Sequence, residues 1–202
     1  MVDYNKPSNQ AAPARTAGTF FTPVGKLSFP TLLVPRAMAG APADAEKKYS
    51  TTLLIPPKAD ISALKAAAAA AAKEKFGDNM PKKLKSPFLD VSDMEGDRGK
   101  TYADEFDGWV AIRLTSKRKP EVVNARLMSV TDENEIYAGR WAKISVRAFA
   151  YDMQGNKGVS FGMNNVQLLD HDTPIAGSAV RAQDEFEAVE VAESSSADDV
   201  FA

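Results

Sequence analysis

The chain has 202 residues, is 44% hydrophobic, and contains no cysteine and one histidine. This length suits one well-buried domain, and the composition excludes disulfide bonds, thiolate metal sites and a histidine-rich metal site. The net charge of −2 hides a division, because residues 1–169 hold 24 Lys and Arg against 18 Asp and Glu, whereas residues 170–202 hold one Arg against nine acids. A basic body indicates a polyanionic partner.

No apolar run approaches the roughly eighteen residues that a membrane-spanning helix needs. The N-terminal residues are polar and lack the apolar segment of a secretory signal. We therefore expect no membrane partner and a protein that stays in the compartment where it is made.

The predicted elements begin after a polar arm at residues 1–17, which has no periodicity and is expected to be flexible. Residues 19–35 predict a strand interrupted by prolines, and residues 47–56 predict a second strand of β-branched and aromatic residues. The hydrophobic period then changes to that of a helix. Asp60 is a suitable cap for this helix, which contains a run of seven alanines and stops at Gly77.

A connection rich in Asp, Lys, Gly and Pro follows at residues 78–107 and is predicted to be long and mobile. Four alternating stretches, residues 109–120, 121–128, 141–151 and 158–170, then predict further strands. Five or six strands with one helix predict a mainly-β fold. The pattern favours a five-stranded, partly open barrel of the oligonucleotide-binding (OB) type, spanning residues 18–170 with long loops.

The remaining residues, 171–202, are acidic and rich in small residues, which predicts a disordered tail. Its last acids and apolar residues are candidates for binding a partner or for competing with a polyanion for the basic body: Asp198, Asp199, Val200 and Phe201. The alternative is a tail that only adds solubility.

The stretch WAKISVRAFAY has an unusual outward row. Successive side chains of a strand point to opposite faces, so one row is apolar and the other combines rings with cations. The second row consists of Trp141, Lys143, Ser145, Arg147, Phe149 and Tyr151. Single-stranded nucleic acid needs this combination, because rings stack on unpaired bases while cations contact phosphates.

The strand at residues 109–120 repeats the pattern. Its outward row includes Trp109 and Arg113 and leads into the basic run Lys117, Arg118 and Lys119. Two strands therefore offer a ring-and-cation face. The alternative for each residue is structural: the rings cap or pack against the barrel, and the cations are ordinary solvated surface.

An enzymatic alternative rests on the acidic connection, since hard metal ions prefer oxygen ligands. Its carboxylates are Asp90, Asp93, Glu95, Asp97, Asp104, Glu105 and Asp107. They share one loop without calcium-loop spacing, so a solvated loop is favoured over a nuclease site. We predict no catalytic residue, no metal and no cofactor.

Seven segments follow one another along the chain: TPVGKLSFPTLLVP, KKYSTTLLIP, AAAKEKFGD, LKSPF, DGWVAIRLTSKRKP, EIYAGRWAKISVRAFAYD and GNKGVSFGMNNVQLL. In this order they resemble a family of tailed-phage single-stranded-DNA-binding proteins, and the resemblance spans about residues 18–170. The resemblance implies an OB fold, base-independent coating of single-stranded DNA in phage replication or recombination, and no catalysis. It also implies the cytoplasm of an infected bacterium as the location.

The matching segments contain the expected DNA-binding residues. Those expected to stack on bases are Trp109, Tyr137, Trp141, Phe149 and Tyr151. Those expected to contact phosphates are Arg113, Lys117, Arg118, Lys119, Arg140, Lys143 and Arg147. The acidic tail is similar in kind to tails that recruit replication or recombination proteins, although it ends in Ala202 after Phe201.

Three questions stay open at this level. The pattern fits RNA as well as DNA, because nothing in it recognises a 2′-hydroxyl. A capsid- or tail-associated β-domain is the alternative outside nucleic-acid binding. The sequence does not distinguish a monomer from a dimer.

Overall fold

The computed structural model describes residues 18–37, 40–42, 44–96, 99–153 and 155–175. The described strands, in chain order, are β1 Phe20–Phe21, β2 Gly25–Arg36, β3 Lys48–Ile55, β4 Phe88–Asp90, β5 Glu95–Gly96, β6 Gly99–Lys100, β7 Val110–Ser116, β8 Glu121–Val123, β9 Trp141–Met153 and β10 Asn156–Leu168. One α-helix, α1 Ser62–Phe76, lies between β3 and β4, and short 3-10 turns occur at Asp104–Phe106 and Glu133–Glu135. The predicted mainly-β fold with one helix and long loops is confirmed.

Five of the described strands pair in a ring. The order is β9–β2–β3–β7–β10, and β10 pairs with β9 again. All these pairs are antiparallel except β10 with β7, which is parallel. β1 adds to the edge of β9, β4 to β7, and β8 to β10.

The main core lies inside this ring, because each strand contributes its apolar row to the interior. Its members include residues from all five strands: Leu27, Leu32, Leu53, Ile55, Ile112, Leu114, Ile144, Val146, Phe161 and Leu168. Each is at most 2% exposed. The alternation seen in the sequence therefore assigns the inner and outer faces of β9 and β10.

Helix α1 forms where the alanine run has high helix propensity. The Asp60 carboxylate accepts a hydrogen bond from the Ser62 N–H at 2.8 Å, which lowers the pKa of Asp60, and Gly77 ends the helix at a positive φ of 51°. Leu64 and three alanines, Ala67, Ala68 and Ala72, are buried, and the helix contacts β9 and β10. Among the described residues, no helix combines the length and apolarity needed to cross a bilayer.

The connection at residues 78–107 differs from its prediction as a mobile segment. Val91, Tyr102 and Phe106 are buried in a second cluster with Leu54 and Ala111. Leu54 and Ala111 pair with each other on β3 and β7 and point outward, so this loop covers part of the outer face of the sheet. Val91, Tyr102 and Phe106 are separated by charged residues, so the sequence shows no regular apolar period in this connection.

Candidate nucleic-acid interface

The two strands with a predicted ring-and-cation face are separated by β10. Gly162 on β10 is opposite Arg147 of β9 on one side and Thr115 of β7 on the other. The row continues from Thr115 to Ser50 on β3 and then to Thr31 on β2. A line of small and hydroxyl-bearing residues therefore crosses the outside of the ring, with an arginine at its β9 end.

Phe149 and Arg113 lie along one side of this row. Phe149 pairs with Ser160, two positions from the pair of Arg147 with Gly162. The Phe149 ring leans towards Gly162, since a Cβ placed on Gly162 would be 3.9 Å from the Phe149 Cε1. Arg113 and Arg147 are exposed, and Phe149 is 43% exposed.

We call Arg113, Arg147, Phe149, Gly162 and Thr115 the arginine face. Within the described part of the chain, neither arginine forms an ion pair with a carboxylate. The face combines an exposed ring, two permanent cations and, between them, Gly162, which has no side chain to fill the space. That arrangement can accept a base against the ring while the guanidinium groups contact the flanking phosphates.

The basic run follows directly along β7. Lys117, Arg118 and Lys119 are exposed beyond Ser116, whose hydroxyl donates to the Arg118 carbonyl at 2.7 Å. The Lys117 Nζ is 2.6 Å from the Glu46 Oε1, and this hydrogen bond lowers the pKa of Glu46. The run extends the positive charge of the arginine face, although Lys117 has a carboxylate partner.

Trp109 and Trp141 come together in a different place, which we call the indole cluster: Lys26, Phe106, Trp109, Trp141 and Asp172. The two indoles are 6.2 Å apart, and Trp109 meets Phe106 edge-on at 5.2 Å. The Lys26 Nζ lies 5.3 Å from the Trp141 ring centre and 3.0 Å from the Asp172 Oδ2. The Trp141 Nε1 donates to the same carboxylate at 2.8 Å.

Asp172 belongs to a segment assigned to the tail by the sequence prediction. Partial burial raises the pKa of its carboxyl, but hydrogen bonds from Lys26, the Thr173 N–H and Trp141 outweigh this effect and lower the pKa overall. Ile175 continues the contact by packing against the second core cluster. Residues 171–175 therefore cover the indole cluster.

Tyr137 and Arg140 are buried, at 8% and 4% exposed. The Tyr137 hydroxyl donates to the Asp172 carbonyl at 3.1 Å and accepts from the Asp172 N–H at 3.2 Å. The Arg140 guanidinium donates to the Glu135 carboxylate at 3.0 Å and to the Leu169 carbonyl at 3.0 and 3.2 Å. Their polar atoms bond to residues 169 and 172, so neither side chain belongs to the exposed arginine face.

Tyr151 and Lys143 lie on the outer row of β9 at opposite ends. The Tyr151 ring folds across Gly158, where even a Cβ would collide with the ring and its hydroxyl. The Lys143 Nζ is 5.8 Å from the centre of the Phe21 ring. Of the predicted residues, the structure thus brings Arg113, Arg147 and Phe149 to one exposed face and places these two at its margins.

Lys26 and Asp172, which organise the indole cluster, are not among the residues predicted from the sequence. Lys26 alternates with the inward Leu27 on β2, so the strand pattern alone could have placed it outward. Asp172 had no comparable signal, because it follows the last strand.

Two further predictions concern other parts of the chain. The tail residues Asp198, Asp199, Val200 and Phe201 lie outside the described residues. Within the described ranges, no three His, Asp or Glu side chains are grouped so that they could hold a metal ion.

A mainly-β fold with an exposed aromatic ring beside two arginines is a combination found in proteins that bind single-stranded nucleic acid. The sequence matches, over residues 21–200, a family model described as "Enterobacter phage Enc34, ssDNA-binding protein". The chain belongs to this family. The resemblance found in its sequence segments is thereby confirmed.

Solved structures support the same fold. The single-stranded DNA-binding protein of bacteriophage Enc34 in complex with ssDNA is 21% identical, with a TM-score of 0.63, and the match covers 83% of this chain and 99% of that one. The single-stranded DNA-binding protein gp2.5 of bacteriophage T7 is 17% identical, with a TM-score of 0.50 and coverage of 87% and 98%. A comparison with curated proteins finds no match.

Proposed function

We propose that this protein coats single-stranded DNA without regard to base order during phage DNA replication or recombination, and that it has no catalytic activity. Membership of the Enc34 family carries the proposal. The arginine face agrees with it, because its chemistry suits an unpaired, negatively charged strand. The corresponding location is the cytoplasm of the infected bacterial host.

The fold assigned to this function is a five-stranded OB barrel. The ring of pairings through β2, β3, β7, β10 and β9 supports it, since a sheet that returns to its first strand is closed. OB folds bind oligonucleotides on one outer side of such a barrel. The arginine face lies on the outside of this ring.

The proposed site makes two kinds of contact with single-stranded DNA, one with bases and one with phosphates. Phe149 stacks on a base, while Arg113 and Arg147 pair with phosphates on either side of Gly162. The exposed run from Lys117 to Lys119 extends the path of the backbone. Stacking contributes about 1–3 kcal/mol per base and tolerates any base, which accounts for indifference to sequence.

We assign the acidic tail a secondary role in recruiting replication or recombination proteins or in competing with DNA for the basic face. The charge division supports this role, because one arginine opposes nine acids in residues 170–202. Removing those residues would leave the body with a net charge of +6. Its affinity for any polyanion should then rise at low salt.

The test is a titration of fluorescein-labelled oligonucleotides of about 16 nucleotides, the upper range for one OB fold, followed by anisotropy at two salt concentrations. We expect similar affinity for oligo(dT) and mixed-sequence single strands, and at least tenfold weaker binding to a duplex of equal length. The logarithm of affinity should fall linearly with the logarithm of salt, by about 0.7 per phosphate contact.

An RNA oligonucleotide of equal length serves as competitor and decides between the two polymers. Equal affinity for duplex and single strands, or no binding to either at low salt, would contradict the proposal.

A further inference from the structure

Strand β2 contains an irregularity at Phe29 that the function proposed so far does not use. Ser28 pairs with Thr52 of β3, and Thr31 pairs with Ser50. Between these two pairs β2 advances by three residues, whereas β3 advances by two. One residue of β2 is therefore extra, which is the definition of a β-bulge. Phe29 occupies this bulge with a φ of 47°.

A left-handed backbone at a bulge is ordinarily a glycine position, because a Cβ there crowds the following carbonyl. A phenylalanine at such a position is costly to the fold. Burial does not compensate for this cost, since the Phe29 side chain is 66% exposed. The most exposed aromatic ring among the described residues thus sits on one of their few strained backbones.

The Phe29 ring has an aromatic neighbour on one side. Phe29 lies 6.4 Å from the Tyr102 ring, and the Tyr102 hydroxyl donates to the buried Ser28 hydroxyl at 3.0 Å. Ser28 pairs with Thr52, which pairs with Arg113 of the arginine face. Phe29 therefore stands on the same outer surface, at the β2 end, with Arg113 between it and the β9 end.

The surroundings keep the ring in place. Tyr102 contacts Phe106 edge-on at 6.0 Å, and Phe106 is 2% exposed, so the ring beneath Phe29 belongs to a packed cluster. Pro30 follows Phe29 and removes a backbone donor and a rotatable φ from the bulge. One side of the Phe29 ring is supported while most of the side chain faces solvent.

We propose that Phe29 is a second base-stacking residue, which the bulge holds out at the β2 end of the arginine face. The inference rests on the proposed function, because it needs single-stranded DNA on this face. Phe149 on β9 and Phe29 on β2 are then two stacking positions, each two strands away from Arg113 in the order of pairing. Single-stranded DNA that reaches both would run across the strands, around the outside of the ring, rather than along β9.

Phe29→Gly provides the test, because glycine removes the ring and also relieves the backbone. Binding is measured by anisotropy with oligo(dT) of about 16 nucleotides and with a tetrahydrofuran abasic oligonucleotide of the same length. We expect affinity for oligo(dT) to fall at least fivefold and affinity for the abasic strand to stay unchanged. The unfolding temperature should equal or exceed that of the unaltered protein, and Phe29→Trp should retain full affinity.

Leu127→Gly is the matched control. Leu127 also has a positive φ, 62°, and is 73% exposed, but it lies in the loop after β8. This variant should leave DNA affinity unchanged.

The outcomes separate the two proposals. Unchanged oligo(dT) binding by Phe29→Gly, while the unaltered protein binds normally, would overturn the role of Phe29 and leave the proposed function standing. An equal loss on the abasic strand would overturn stacking as its mechanism. Failure of the unaltered protein to bind single strands at low salt would overturn the proposed function itself.

Discussion

The arginine face and the indole cluster contain the same types of residue, but the arginine face is exposed and the indole cluster is covered. Each combines aromatic rings with cations on the outside of the ring of strands, and β9 contributes to both. In the indole cluster, Lys26 is paired with Asp172 and lies over Trp141. On the arginine face, Arg113 and Arg147 are exposed and have no carboxylate partner among the described residues.

The difference comes from covering segments rather than from the strands. Residues 91–106 place Phe106 beside Trp109, and residues 171–175 bring a carboxylate to Trp141. Neither segment reaches Gly162, whose nearest neighbours include the Phe149 ring and the backbone of Thr115. An alternating ring-and-cation pattern therefore predicts an outward face, and the loops decide whether that face is open.

The largest expected effect is on the arginine face. Replacing Arg113 and Arg147 together by alanine should weaken oligo(dT) binding at least tenfold, because charged hydrogen bonds contribute about 1.5–3 kcal/mol each. The salt dependence should also become shallower by about 1.4, which corresponds to two phosphate contacts on a single strand. Anisotropy titrations at several salt concentrations measure both quantities.

A charge-matched control removes two exposed cations elsewhere, Lys65 on α1 and Arg126 in the loop after β8. If this control loses as much affinity as the double arginine variant, only the overall charge matters and the arginine face is not a site.

A second variant leaves all charges intact and fills the space above Gly162 with a side chain. In Gly162→Leu the new Cβ would be at ordinary contact distance, 3.8 Å or more from its neighbours, so the fold should tolerate it. The rest of the side chain would stand between Phe149 and Thr115 and exclude a base. We expect an affinity loss of about tenfold with little change in unfolding temperature, and equal affinity would place the DNA elsewhere.

The aromatic residues of the two regions should respond differently. Phe149→Ala should reduce oligo(dT) affinity about fivefold and barely alter stability, since one stack contributes about 1–3 kcal/mol. Trp141→Ala should lower the unfolding temperature, because it removes the contacts with Trp109, Lys26 and Asp172. Its effect on affinity should be under twofold. The reverse result would make the indole cluster the stacking site.

The smallest effect is expected at Asp172. Its pKa is lowered in the folded protein, so its carboxylate stabilises the fold above the ordinary aspartate pKa of about 3.9, and this contribution is lost as pH falls through the lower folded value. Asp172→Asn should cost about 1 kcal/mol or less at neutral pH, or about 2–4 °C in unfolding temperature. Tryptophan-monitored melts measure the shift.

The same melts at a series of pH values below the ordinary aspartate pKa provide the check, because the contribution of the Asp172 charge declines over that range as pH falls through the folded pKa. The difference between the two proteins should narrow there. A difference that stays constant with pH would show that the Asp172 charge does not hold the cluster closed.

Local pattern was enough to predict the elements that carry the arginine face. Alternation placed Arg147 and Phe149 on the outer row of β9 and Arg113 on that of β7, and the alanine run predicted α1. These features depend on a few neighbouring residues, so the sequence displays them directly. The pairing partners of β10, which join the two strands into one surface, are long-range and do not appear in any local period.

The remaining differences arise where the chain leaves the regular strands. Tyr137 and Arg140 precede β9 and are buried by residues about thirty positions later, which no short window can reveal. Phe29 looked like part of an interrupted strand, and only the bulge shows where its ring stands. Tyr102 and Phe106 are isolated among charged residues, so their packing depends on the sheet beneath them.

The position of β10 also has a consequence for synthesis of the protein. This strand is the last of the ring in chain order, yet it lies between β7 and β9. Until residue 168 has left the ribosome, both of those strands carry an unpaired edge, and such edges are templates for aggregation. An incomplete chain that ends before β10 is therefore expected to aggregate more readily than the full chain.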